Sequence, residues 1–172
     1  DSGIYNAMNM ILKKVPINSY SIFLNSGDII KGIIELSNFK NQNDFLIMNT
    51  YKEKYDKNNL VKIKNSFYNE MPFSHQSLIF KKKYGMKFSE DYKICGDYEF
   101  ILKWVTKKYN SPLEINEIFK VHTIFDINGI SSKKRFQRDI EGYKAVLNSF
   151  GILKSLIYLV NRMKKYLTIL IN

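Results

Sequence analysis

The sequence predicts an α/β fold with a mixed, mostly parallel sheet flanked by helices. Three observations predict it. "YSIFLN", "DFLIMNT" and "HQSLIF" are short, nearly unbroken apolar runs, the composition of strands buried on both faces. "GIYNAMNMILKK" and "GDYEFILKWVTKKY" carry apolar residues at helical spacing. The two kinds of segment alternate along the chain, the pattern of a layered βα architecture, and 172 residues suffice to bury a sizeable core.

From Gly3 to Lys14 a helix is expected, with Ile4, Met8, Ile11 and Leu12 on its apolar face. Pro16, Asn18 and Ser19 end it. A buried strand follows from Tyr20 to Asn25, then a turn at Ser26 to Asp28, then a helix from Ile29 to Asn38. Further strands are expected at Asp44 to Thr50, Leu60 to Lys64, and His75 to Phe80 after a loop at Pro72. Gly96 to Tyr109 reads as a helix with Phe100, Ile101, Trp104 and Val105 inward. Pro112 to Phe125 reads as two short extended segments. Ser131 or Ser132 would cap a helix reaching about Ser149, Gly151 would break it, and a last helix would cover Ile152 to Ile171. A boundary near residue 130 thus divides a main domain, 1–130, from a helical extension, 131–172.

The formal net charge is +11. Nine Lys and Arg against Asp139 and Glu141 leave +7 between Lys133 and the C-terminus. Such a balance attracts anionic partners. The aromatic residues fall mostly in apolar runs and so read as core, which argues against single-stranded nucleic acid as partner. A lone Cys rules out an internal disulfide framework and suits a reducing, cytoplasmic setting. No stretch of about 20 uninterrupted apolar residues is present.

Two carboxylates stand where an α/β sheet presents its ligands, at strand ends and helix starts. Asp28 closes "FLNSGD", where Asn and Asp could hold a ribose or a hydrated divalent ion and Gly27 admits close backbone approach. Equally, the segment could be a plain turn with Asp28 capping a helix. Asp97 in "KICGDYEFILKW" lies in the first turn of a helix, where it could act as a general base or only compensate the helix dipole. His75 and Gln76 enter a strand and could line a cleft. His122 could be a core residue or a metal ligand.

In order, "DSGIYNAMN", "FLNSGD", "MPFSHQSLIF", "YKICGDYEFILKW" and "FDINGISS" resemble the motifs of family 2 glycosyltransferases of bacterial surface-polysaccharide synthesis. The resemblance spans roughly Asp1 to Ser132. It implies a GT-A fold, here its C-terminal part with a helical extension. It also implies inverting transfer of a sugar from a nucleotide-diphosphate donor, UDP-linked by expectation, to a hydroxyl of a saccharide or lipid-linked acceptor. Asp97 would then be the catalytic base. Asp1, Asn9, Asn25, Ser26, Gly27 and Asp28 would serve the donor. His75, Gln76, Ser77, Gly96 and Glu99 would border the sugar or acceptor. Asp28, and in a minor role His122, would hold a divalent metal, Mg²⁺ or Mn²⁺.

The sequence departs from the family pattern in places. Asn25 and Gly27 stand where relatives carry Asp, Asn6 stands where Asp is usual, and Met10 and Ile11 stand where Lys-Gly is usual. The Gln-x-x-Arg-Trp signature of processive synthases is absent, which favours single addition. The family's Rossmann-like nucleotide-binding half would precede Asp1. These 172 residues alone are therefore expected to bind a nucleotide sugar poorly, and the alternative readings are a non-catalytic basic module that binds a membrane surface or nucleic acid, or an inactive transferase remnant. The last helix puts Ile152, Leu153, Leu156, Val160, Met163, Leu167 and Leu170 on one face with Lys and Arg elsewhere. That pattern fits either peripheral contact with the inner face of the cell membrane through 152–171, or packing on protein.

Overall fold

A computed structural model describes residues 2–35, 45–52, 67–106, 117–125 and 133–171. The elements are α1 (Ile4–Lys14), β1 (Tyr20–Ser21), β2 (Ile29–Lys31), β3 (Phe45–Lys52), β4 (Leu78–Lys81), α2 (Gly96–Phe100), β5 (Glu117–Phe125), α3 (Arg135–Phe150) and α4 (Ile152–Ile171). A 3₁₀ turn (His75–Ser77) leads into β4, and α2 continues as a π-helix (Ile101–Thr106). The fold is mixed α/β, as the alternation predicts.

The sheet corrects the expectation of mostly parallel strands. Its order is β1-β4-β3-β5-β2, and only β3 with β5 is parallel. The other three pairings are antiparallel. The physical reason lies in what an apolar run reports. Phe45 and Ile47 of β3, with Leu78 and Phe80 of β4, enter the main core. Leu46, Met48 and Ile79 point to the other face and pack with Tyr20, Ile22, Ile30 and Ile34. Both faces are covered, so the run is continuously apolar whatever the direction of the neighbouring strand.

Ile29 to Lys31 is a strand, not the start of a helix. It pairs with β5, Ile29 opposite Ile124 and Lys31 opposite His122. Two adjacent β-branched residues suit a sheet edge, and Gly32 leaves the ladder at φ 103°. The expected strand from Tyr20 to Asn25 contracts to Tyr20–Ser21, because the chain turns toward the site at Asn25. His75 to Ser77 belongs to the 3₁₀ turn rather than to the strand. The extended segment before Phe125 is one strand from Glu117, interrupted in register between Met48 and Asn49 of its partner. The expected strand at Leu60 to Lys64, the caps Ser131 and Ser132, and most of "FDINGISS" lie outside the described residues.

Helix α1 buries Tyr5, Met8, Asn9 and Leu12, while Ile4 and Ile11 are exposed. The buried stripe is thus rotated from the purely apolar one. Asn9 is tolerated inside because Phe88 satisfies it at both ends. Its Nδ2 donates to Phe88 O at 2.9 Å, and its Oδ1 accepts from Phe88 N at 2.8 Å. Lys82 ties the C-terminus of α1 to the sheet. Its Nζ donates to the carbonyls of Leu12 and Val15 at 2.5 Å each, where a cation also complements the helix dipole.

Helices α3 and α4 are part of the main core rather than an appendage to it. Ala145, Val146 and Tyr158 belong to the same cluster as Phe80 and Phe100. The chain breaks between the two helices at Gly151, φ 79°, as the sequence predicts.

Candidate active site

The site assembles at the N-terminus of α2. Gly96 starts this helix beneath the ring of Tyr5. A Cβ there would lie 2.7 Å from Tyr5 Cε2, so only glycine lets α1 and α2 approach so closely. The backbone N–H groups just before the helix are not left to solvent. Lys93, Ile94 and Cys95 all donate to the carboxylate of Glu141 on α3, at 2.8 Å from Ile94 and 2.9 Å from Cys95. Gln137 Nε2 holds the same carboxylate at 3.1 Å. A side chain of α3 therefore occupies the anion-binding concavity that a helix N-terminus offers. It rigidifies the residues leading into Asp97.

Asp97 accepts from Tyr98 N at 2.8 Å on Oδ1 and lies 2.9 Å from His75 Nδ1 on Oδ2. Tyr5 Oη is 3.3 Å from Oδ1 and 2.6 Å from Ile94 O. A hydroxyl has one proton to donate, and the shorter contact assigns it to Ile94. Burial, then the Asp97 charge, hold the Tyr5 phenol well above its ordinary range, so it stays protonated. His75 Nε2 is 3.4 Å from Asn25 Nδ2. With Nδ1–H donated to Asp97, a neutral His75 accepts from the Asn25 amide. A protonated His75 instead needs the amide oxygen turned toward it.

Asn25 is positioned by the "NSGD" turn. Asp28 N donates to Asn25 O at 3.1 Å, and Asn25 N donates to Asp28 Oδ2 at 3.0 Å. Gly27 sits at φ 93°, the conformation such a turn requires at its third residue. Because a strand follows, Asp28 closes this turn and caps no helix. Burial opposes protonation of His75, but the hydrogen bond and charge of Asp97, with the charge of Asp28, outweigh it. The pKa of His75 is raised above 6.5.

Asp97 and His75 are each about one-sixth exposed, at 17%. Among the described residues they are the polar side chains that line a small, partly open recess, whose other walls are Phe23, Leu78, Phe80, Phe88, Phe100 and Ile101. The rings of Phe88 and Phe100 stack at 4.4 Å, and Phe23 meets Phe88 edge-on at 5.4 Å. With a volume of about 10 Å³, the recess admits one water-sized group, such as a single hydroxyl, against the carboxylate–imidazole pair. The paired side chains can accept and pass on a hydroxyl proton at its rim.

The fold therefore brings Asn25, Asp28, His75 and Asp97 together from three distant segments. Other expected residues serve elsewhere. Asn9 is engaged with Phe88 and donates to Glu90 Oε1 at 2.8 Å. Ser26 and Gly27 are exposed on the turn. Gln76 and Ser77 are buried, Gln76 bonded to the Ser74 hydroxyl and Ser77 Oγ donating to Ser74 O at 2.6 Å. Gly96 lies under Tyr5, and Glu99 is half-buried one turn into the helix. Asp1 is outside the described residues.

His122 does not accompany Asp28. It stands opposite Lys31, edge-on to Tyr51 at 5.3 Å, and burial and the Lys31 charge lower its pKa. Three strand positions, about 10 Å, separate that level from Asp28. Among the described residues no three His, Cys, Asp or Glu converge as a metal group. A diphosphate-bridging Mg²⁺ or Mn²⁺ asks for only one or two carboxylates, and Asp28 at an exposed turn is of that kind.

Two residues that shape the site, Tyr5 and Glu141, were not among the expected ones. Glu141 is far from Asp97 in sequence and lies beyond the expected domain boundary, so nothing local marks it. Tyr5 lies within the motif "DSGIYNAMN", and its place one turn before Asn9 on the buried face was the available signal. Comparison with protein-family models, with curated proteins and with solved structures finds no match to this chain.

Proposed function

We propose that the chain carries the catalytic-base side of an inverting, GT-A-type glycosyltransferase that uses a nucleotide-diphosphate sugar, with a saccharide or lipid-linked hydroxyl as acceptor. The observation that supports it best is the convergence of Asp97, His75 and Asn25 beside Asp28 above an aromatic floor. These residues come from three of the five segments that resemble the family.

In this reading the acceptor hydroxyl enters the recess and gives its proton to Asp97. Its oxygen attacks the anomeric carbon from the face opposite the diphosphate, which departs with the bonding electron pair. His75 orients the Asp97 carboxylate through Oδ2 and leaves the second lone pair of each oxygen for the hydroxyl. The Phe23, Phe80, Phe88 and Phe100 rings keep water from the inner side of the Asp97–His75 pair. A divalent ion at Asp28, when bound, would neutralise the leaving diphosphate. Asn25 and the "NSGD" backbone would orient the groups around it.

The test is transfer from a panel of UDP-linked sugars with Mn²⁺ or Mg²⁺ to lipid-linked and saccharide acceptors, comparing the chain with its Asp97→Asn variant in the longest natural form of the protein. Loss of about 10²–10⁴-fold in turnover with donor binding retained is expected of a general base. Transfer unaffected by Asp97→Asn, or no donor turned over by the unsubstituted protein, would overturn the reading.

A further inference from the structure

Helix α4 is mounted on the protein by its polar side. Ser155 and Tyr158 are fully buried beneath it. Lys154 Nζ lies 4.3 Å over the Tyr68 ring, Asn161 Nδ2 donates to Asn69 Oδ1 at 2.8 Å, and Lys165 Nζ donates to Glu70 Oε2 at 2.6 Å. Arg162 and Tyr166 both reach Asp139 on α3. The apolar stripe read from the sequence points the other way. Ile152, Leu153, Leu156, Val160, Met163 and Leu167 are all exposed, Leu153 at 69% and Met163 at 63%. With Ile157 and Leu159, which are also exposed, they cover about half the helix circumference at 3.6 residues per turn. A helix stabilising only its own domain would be turned over.

Charge identifies the partner. Nine cations and two carboxylates lie between Lys133 and the C-terminus, and both carboxylates are consumed internally. Asp139 is buried against Arg138, Arg162 and Tyr166, and Glu141 is bound by the 93–95 backbone. Arg138, Arg162, Lys165 and Lys154 are engaged within the protein, while Lys133 and Lys134 just before α3 and Lys164 on α4 are exposed, so this part of the chain presents cations and apolar side chains outward. A second copy meeting this face would bring a like-charged surface toward it. No helix among the described residues is long and apolar enough to cross a membrane.

We infer that α4 is an in-plane anchor: its Ile152–Leu167 apolar face inserts into the headgroup boundary of an anionic lipid bilayer, with the exposed Lys164, Lys133 and Lys134 on the lipid phosphates. The inference stands on the exposed face and its charge and does not depend on sugar transfer. Because Tyr158 is a core residue, deleting the helix would unfold the protein, so substitutions at exposed positions are the clean test.

Sedimentation of the full chain with vesicles of phosphatidylcholine mixed with an equal amount of phosphatidylglycerol should pull the protein down, and with phosphatidylcholine alone far less. Leu156→Gln and Leu167→Gln together should lower the affinity roughly tenfold or more with an unchanged circular dichroism spectrum. Lys164→Gln should weaken binding less, and added salt should weaken it further. No binding to the anionic vesicles at low salt, or binding indifferent to the double variant, overturns the inference. A dimer in solution that the double variant dissociates, without vesicle binding, assigns the face to a second copy and overturns it too.

Discussion

At the scale of single residues, the site depends on which group sets the charge of His75. Asp97 supplies the hydrogen bond and the larger attraction, and Asp28 adds to it, while burial alone would push the imidazole toward neutrality. In Asp97→Asn the opposing burial is left with only Asp28 against it. An NMR titration of the His75 ring should therefore show a pKa above 6.5 in the parent protein and a downward shift in the variant. The raised value also carries a stability signature. A group whose folded pKa exceeds its unfolded one stabilises fully below the unfolded value, and that contribution is lost as pH rises through the folded value. Denaturant midpoints of the parent and His75→Gln should thus differ more at pH 5.5 than at pH 9. A difference that grows with pH would contradict the His75–Asp97 pairing.

At the scale of elements, two contacts hold the site from outside its own segments. Glu141 receives three backbone N–H groups ahead of α2. Glu141→Ala leaves these donors without their carboxylate and should cost about 1–3 kcal/mol. Hydrogen exchange should report it as faster exchange at Ile94 and Cys95 before any global change. The close crossing of α1 and α2 at Gly96 is equally specific. Gly96→Ala places a methyl against the Tyr5 ring and should cost about 1–3 kcal/mol by overpacking, read as a lower unfolding midpoint. A neutral Gly96→Ala would mean that the ring yields freely. The segments that carry Asn25 and Asp28, His75, and Asp97 could be picked out in the sequence because each keeps its polar residues within a few positions. Glu141 could not, because its partner residues are supplied by tertiary contact alone.

At the scale of the whole molecule, α3 and α4 close the structure. Asp139 accepts from Tyr166 Oη at 2.7 Å and pairs with Arg138 at 3.0 Å. Arg162, which also pairs with Asp139, lies over the Tyr158 ring at 4.9 Å. Gly142 leaves room for the Tyr158 hydroxyl against α3. Tyr158, at 1% exposure, joins the two helices to the main core. Tyr158→Ala should cost about 3–5 kcal/mol and lower the unfolding midpoint measured on any probe, including one near Asp97. A variant in which α4 alone melts while the recess stays intact would show that the two regions are separable.

The sequence by itself determined the mixed α/β class of the fold, most helix positions and the break at Gly151, and it singled out Asp97 as a candidate base. Those signals are local: apolar spacing, a left-handed glycine, a carboxylate in a first helical turn. It also foretold an amphipathic last helix. Tertiary structure alone decided the rest. An apolar run records burial on both faces and is blind to strand direction, so the antiparallel pairings emerged only with the partners. A helical period locates an apolar stripe but not what it faces, so only packing turned the stripe of α4 outward and its tyrosine inward. Proximity across the chain brought His75 to Asp97 and Glu141 to the loop before it, and no local pattern encodes proximity of that kind.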